Sequence, residues 1–170
     1  MSTRALYSVF DGSAKLPAAN IYIHHDGYPS GALDHIKAAL RFAWPLPRFE
    51  ADEFAAALCA GRKASYAMEF IEAIERETKG EKHPSDWHTP AKARDMLRDY
   101  VGGGVRVFKS GAPIKCDAAD IEYRYEIRHD GKNLKIRAFA THYGEEPRTE
   151  QQIFDGPFGT FAAWAKVYGK

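Results

Sequence analysis

Hydroxyls, two imidazoles and a carboxylate crowd the segment between Ile21 and Gly31, which reads Ile-Tyr-Ile-His-His-Asp-Gly-Tyr-Pro-Ser-Gly. Strand alternation puts Tyr22, His24 and Asp26 on one face and His25 on the other. A hydroxyl, an imidazole and a carboxylate then converge at the mouth of a turn. His24 beside Asp26 has the makings of a general base or a metal ligand. A helix start just downstream would offer unpaired amides and the positive end of its dipole to an anion. His24-x-Asp26 also has the spacing of two ligands of a facial-triad iron site, with His142 as third, but nothing else in the chain supports an iron oxygenase. Turn geometry alone accounts for much of the motif. Asp26 would cap the turn, Gly27 would supply positive φ, and Tyr28-Pro29 would pack on the sheet edge.

A second constellation lies in the hairpin Ile121–His142. Ile121, Tyr123, Tyr125 and Ile127 alternate with Glu122, Arg124, Glu126 and Arg128. Leu134, Ile136, Ala138 and Ala140 alternate with Lys135, Arg137 and Thr141. Reading Asp130-Gly131 as a two-residue turn pairs Ile127 with Leu134 and Tyr125 with Ile136. Arg124 then opposes Arg137, and Glu126 opposes Lys135. Two opposed arginines repel unless an anion sits between them, and Arg128 extends the patch. This predicts a phosphate or nucleic-acid contact surface, unless Glu122 and Glu126 neutralise it into an ordinary wet face. Phe139 is the only aromatic on that face, so no base-stacking pattern accompanies it.

Other candidates resolve to structure. His83, His88 and Asp86 share a polar loop, and no Cys/His spacing matches a structural zinc motif. Gly27–Gly31 displaces its serine from the position a nucleophile elbow needs. Gly102–Gly104 lacks a following Lys-Ser or Lys-Thr and reads as a helix stop. No metal and no cofactor is expected.

The elements that must position these residues follow from periodicity. Leu6–Phe10 and Asn20–His25 read as strands. Ser30 is the expected N-cap of a helix from about Gly31 to Phe42, with Leu33, Ile36, Leu40 and Ala43 buried. Tyr28 must be extended because Pro29 follows it. Pro45 and Pro47 end that helix. A second runs from about Ala51 to Gly61, a third from about Ala64 to Lys79, and a fourth starts at Thr89-Pro90 and passes Tyr100. Val105–Lys109 is a strand, the hairpin follows, and a last helix spans about Pro157 to Tyr168. The order ββ-αααα-βββ-α predicts an α+β domain over residues 1–170. Its mainly antiparallel sheet would have about five strands, with helices packed on one face.

Composition narrows the class. Against 24 basic side chains stand 23 acidic ones, which argues against both a wholly basic nucleic-acid coat and an acidic DNA mimic. Cys59 and Cys116 form no CxxC pair, so a reducing compartment is expected. No stretch reaches the roughly 18 apolar residues of a membrane span, nor is there an apolar leader. Both point to a cytoplasmic protein without a membrane partner. Aromatic residues make up 13% of the chain. Trp44, Trp87 and Trp164 are expected to anchor helix packing, and any exposed surplus would mark a partner interface.

The segment also resembles a set of small bacterial and phage proteins that begin with a short strand. Their second strand ends in a motif like Tyr-x-His-x-Asp-Gly-Tyr-Pro-x-Gly, and a helix follows. Tyr22, His24, Asp26, Gly27, Tyr28, Pro29 and Gly31 match it, over about the first 40 residues. His25 stands where many of those proteins carry an aromatic, usually tryptophan. They are often carried by phages and mobile elements, with no established activity. The resemblance implies a non-catalytic binding or regulatory protein acting on a host protein or nucleoprotein complex. An inhibitor of a host defence system is one concrete form. Tyr22, His24, Asp26 and Tyr28, with Arg124, Arg128 and Arg137, are its expected contact residues. The alternative is a small hydrolase acting on a nucleotide or nucleic acid through His24 and Asp26, with Arg124 or Arg137 holding a phosphate. A homodimer is the base-rate expectation.

Overall fold

The first strand, β1 (Ala5–Phe10), is buried along its whole length. It reads Ala-Leu-Tyr-Ser-Val-Phe, without polar alternation, as a strand covered on both faces must. The computed structural model describes residues 3–41, 49–60, 105–109, 121–142 and 149–168, with 105–109 and 142 through their backbone alone. β1 lies inside a six-stranded sheet of order β3-β2-β1-β4-β5-β6. The other strands are β2 (Ala19–Ile23), β3 (Val105–Lys109), β4 (Tyr123–His129), β5 (Leu134–His142) and β6 (Thr149–Pro157). Every neighbouring pair is antiparallel except β1 with β4. The fold is therefore α+β with a mixed sheet.

Three helices are present among the described residues: α1 (Pro29–Leu40), α2 (residues 51–60) and α3 (Phe158–Ala165). Leu33 and Ile36 of α1, Phe54 and Leu58 of α2, and Phe161 and Ala165 of α3 share one core with Tyr7, Ile21, Ile23, Tyr125, Ile127 and Ile136 of the sheet. Full burial of side chains of this size contributes about 1.5–3 kcal/mol each. Two polar groups inside that core are satisfied: Tyr7 Oη lies 2.8 Å from His35 Nδ1, and Tyr125 donates to the Gly27 carbonyl at 2.8 Å. The N-terminus of α2 is held from the β1–β2 connection, where Asp11 Oδ1 accepts from the Ala51 amide at 3.0 Å.

The order differs from the sequence expectation. A sixth strand, β6, stands where no strand was predicted, and the order ββ-αααα-βββ-α does not describe the chain. β6 is an edge strand that is exposed over most of its length. Such a strand needs no apolar alternation and tolerates Gly156 and Pro157 at its end. The helices expected over 64–79 and from Thr89 past Tyr100 lie outside the described residues. So do His83, Asp86, His88, Trp44, Trp87, Gly102–Gly104 and Cys116.

The hairpin also departs from expectation, by two residues. Ile127 pairs with Ile136, Tyr125 with Ala138, Glu126 with Arg137, and Arg124 with Phe139. The cause is local. The Asp130 carboxylate accepts the Lys132 and Asn133 amides at 2.9 and 2.7 Å, building a four-residue loop in place of a two-residue turn. A shift of two leaves every side chain on its predicted face. It nevertheless changes every partner, and Arg124 no longer opposes Arg137.

Candidate functional site

Asp26 itself takes the positive φ of the turn, at 56°, a conformation aspartate tolerates better than most residues. Gly27 is needed for a different reason. A Cβ there would lie 2.6 Å from Ala5 Cβ and 2.8 Å from the Arg4 carbonyl carbon. Its amide donates to the Thr3 carbonyl at 2.9 Å. Gly31 is tighter still, since a Cβ would fall 2.1 Å from the Asp26 carbonyl oxygen. Pro29 opens α1, and Tyr28 is the N-cap residue, extended at φ −65° and ψ 160°. Ser30 therefore lies inside the helix and does not cap it.

These constraints separate the predicted residues. Tyr22 Oη and His24 Nδ1 are 2.8 Å apart, and the His24 and His25 rings meet edge to face at 4.6 Å. Tyr22 packs against Leu6 and Ile121, on the sheet face away from α1, α2 and α3. The Asp26 Cβ and carbonyl lie beside Gly31 in the first turn of α1. The expected row of Tyr22, His24 and Asp26 thus ends at His24, because the left-handed turn at Asp26 breaks the alternation. Among the described residues, no three His, Cys, Asp or Glu side chains are grouped to hold a metal. The side chain of His142 is not described.

Arg124, Arg128 and Arg137 do share one sheet face, opposite to α1, α2 and α3, but each is engaged. Arg124 Nε and Nη2 meet Glu150 at 2.9 and 3.0 Å, its Nη1 meets Glu126 at 2.6 Å, and the guanidinium lies 3.9 Å over the Phe139 ring. Burial lowers its pKa, but the bonds and charges of Glu150 and Glu126 outweigh burial and hold the guanidinium above its ordinary range. Glu126 also reaches Arg137 at 3.6 Å, and Asp155 links Arg137 to Lys135 at 3.1 and 2.9 Å. Arg128 donates to the Ala14 carbonyl at 2.7 Å and covers the Phe10 ring at 3.6 Å. The opposed arginine pair that would have held a phosphate does not form.

Tyr28 has a different setting. It is 42% exposed and forms one wall of a half-open groove of about 570 Å³ between α1, the start of β4 and the chain after α3. Pro29 and Leu33, both buried, floor it. Tyr123 and Tyr168 form the other walls, and Ser30, Asp34, Lys37 and Lys166 rim it. Tyr168 is fixed by its ring against Trp164, 4.5 Å centroid to centroid. Burial, then the neighbouring Tyr168 and Glu122, push the Tyr123 hydroxyl above its ordinary pKa of 10.0, so it stays protonated. Of these residues only Tyr28 belonged to the sequence-derived set. Ser30, Leu33, Asp34 and Lys37 follow one stripe of α1 at helical spacing, a signal visible in the sequence. Tyr123 and Tyr168 join them only through the tertiary fold.

No protein-family model matches the chain, and neither a curated protein nor a solved structure matches it. The resemblance carried by Tyr22–Gly31 rests on those residues alone. No helix among the described residues is long and apolar enough to cross a membrane.

Proposed function

We propose that this protein is a non-catalytic binding protein that acts on a host protein or nucleoprotein complex through the groove at Tyr28. One observation carries the reading: the most distinctive segment of the chain builds a rigid turn that presents an exposed tyrosine at an open, aromatic-walled groove. Exposed tyrosines flanking an apolar floor are typical anchors of protein recognition. A hydrolase working through His24 and Asp26 is less well supported, because His24 Nδ1 is bonded to Tyr22 and the positive φ of Asp26 breaks the strand alternation that would align it with His24. Nucleic acid bound by Arg124, Arg128 and Arg137 is also less well supported, because each already has an internal acceptor. Carriage by a phage or mobile element, and inhibition of a defence complex, are the forms of this function that the motif resemblance suggests.

The test is capture from a bacterial lysate by tagged wild-type protein, Tyr28→Ala and His24→Ala. His24→Ala should retain the captured partner and Tyr28→Ala should lose most of it. The opposite pattern would sink the binding reading in favour of chemistry at His24.

A further inference from the structure

Resting on the binding reading, we infer that the groove takes an acidic segment of a partner protein, with carboxylates meeting Lys37 and Lys166 and an apolar side chain lying against the Tyr28 ring. The lining is rich in hydrogen-bond donors. Two ammonium groups donate and cannot accept, and three tyrosine hydroxyls each have a proton to give. Among the described residues of the lining, Asp34 is the single carboxylate opposing them. Among the described residues, neither Lys37 nor Lys166 is in a salt bridge. The Tyr123 hydroxyl, kept neutral by burial, remains a donor at any physiological pH. A ligand that supplies acceptors and negative charge completes this lining, whereas a basic one would leave the ammonium groups unmatched.

The aromatic walls distinguish a peptide from a simple anion. Tyr28, 42% exposed, gives a partner's side chain a ring face to cover, while Leu33 beneath it is already buried. The volume falls within the range of about 300–1,000 Å³ typical of built ligand sites, and the open side lets a chain run through. A nucleic-acid backbone fits less well. Two lysines would neutralise only about two phosphates, giving weak, strongly salt-sensitive binding, and Asp34 would repel a third.

The experiment selects a random dodecapeptide library on the full chain. Recovered peptides are then titrated against wild type, Lys37→Glu/Lys166→Glu, Tyr28→Ala and Arg137→Gln. Both lysines are exposed, so the double variant should melt like wild type. Selected sequences should be enriched in aspartate and glutamate next to an aromatic or aliphatic residue. The double lysine variant should bind them on the order of 100-fold more weakly, and Arg137→Gln should bind them as wild type does. Recovery of no peptide, of peptides without acidic enrichment, or of peptides indifferent to the lysine reversals would overturn the inference. Tighter binding of oligothymidylate, displaced by Lys37→Glu/Lys166→Glu, would overturn it in favour of nucleic acid. Peptides that lack acidic residues yet depend on Tyr28 would leave the binding reading standing and remove only the acidic occupant. Lysate capture indifferent to Tyr28→Ala would remove both.

Discussion

On the arginine-bearing face of the sheet Arg124, Arg137 and Lys135 each reach a carboxylate within 3.1 Å, while Lys37 and Lys166 at the groove reach none among the described residues. Both regions carry cations, and the chain alone does not distinguish them. Their neighbours do. Cross-strand pairing sets Glu126 and Asp155 opposite Arg137, so the arginine face is closed upon itself. The groove lies between α1, the start of β4 and the residues after α3, and Asp34 is the one carboxylate among its described lining residues. Charges matched within the fold serve the fold, and those left facing a cleft are available to a partner.

The contrast requires a groove wall that does not yield. Gly31→Ala would force a Cβ to within 2.1 Å of the Asp26 carbonyl oxygen. It should cost about 3 kcal/mol or more in urea denaturation and weaken capture with it. An unchanged midpoint would mean that the turn relaxes easily and is not what positions Tyr28.

Arg124→Ala addresses the other side. It leaves Glu150 and Glu126 without their shared guanidinium, in a site where the arginine is only 9% exposed. A loss of about 2 kcal/mol is expected, with capture unaltered once the folded fraction is matched. Loss of capture by a folded Arg124→Ala protein would reverse the comparison and make the arginine-bearing face the contact surface.

The smallest effect concerns the tie between sheet and turn. Burial pushes the Tyr125 hydroxyl well above its ordinary pKa of 10.0, so the folded state holds this proton more tightly than the unfolded chain does. Its contribution is complete below pH 10 and is lost as pH rises from there through the folded-state value. Tyr125→Phe should cost about 1 kcal/mol at neutral pH through the lost bond to Gly27. It should also flatten the alkaline fall in stability followed by denaturation between neutral pH and pH above about 10. An alkaline limb identical in both proteins would show that other groups control it.

How far the sequence is legible depends on how local each determinant is. Pro29 forces Tyr28 to be extended by steric contact alone, and that expectation matches the structure. The same proline opens the helix at its first position, which is why Ser30, though a good capping residue, does not cap. Hairpin faces follow from alternation, but register depends on how the Asp130 carboxylate folds the loop, and alternation is blind to a slip of two. Gly27 and Gly31 announce tight backbone, yet which glycine meets which neighbour depends on Thr3–Ala5 and Asp26. β6 has no apolar period because its edge position makes few demands of its side chains. The groove is least legible, since its tyrosines come from positions 28, 123 and 168.

Hydrogen exchange on the captured complex distinguishes the groove from the arginine-bearing face. Binding at the groove slows exchange over residues 28–37 and 166–168 and leaves residues 124–137 unchanged. Slowing confined to 124–137, with the α1 groove exchanging as in the free protein, would place the contact on the arginine-bearing face and rule the groove out.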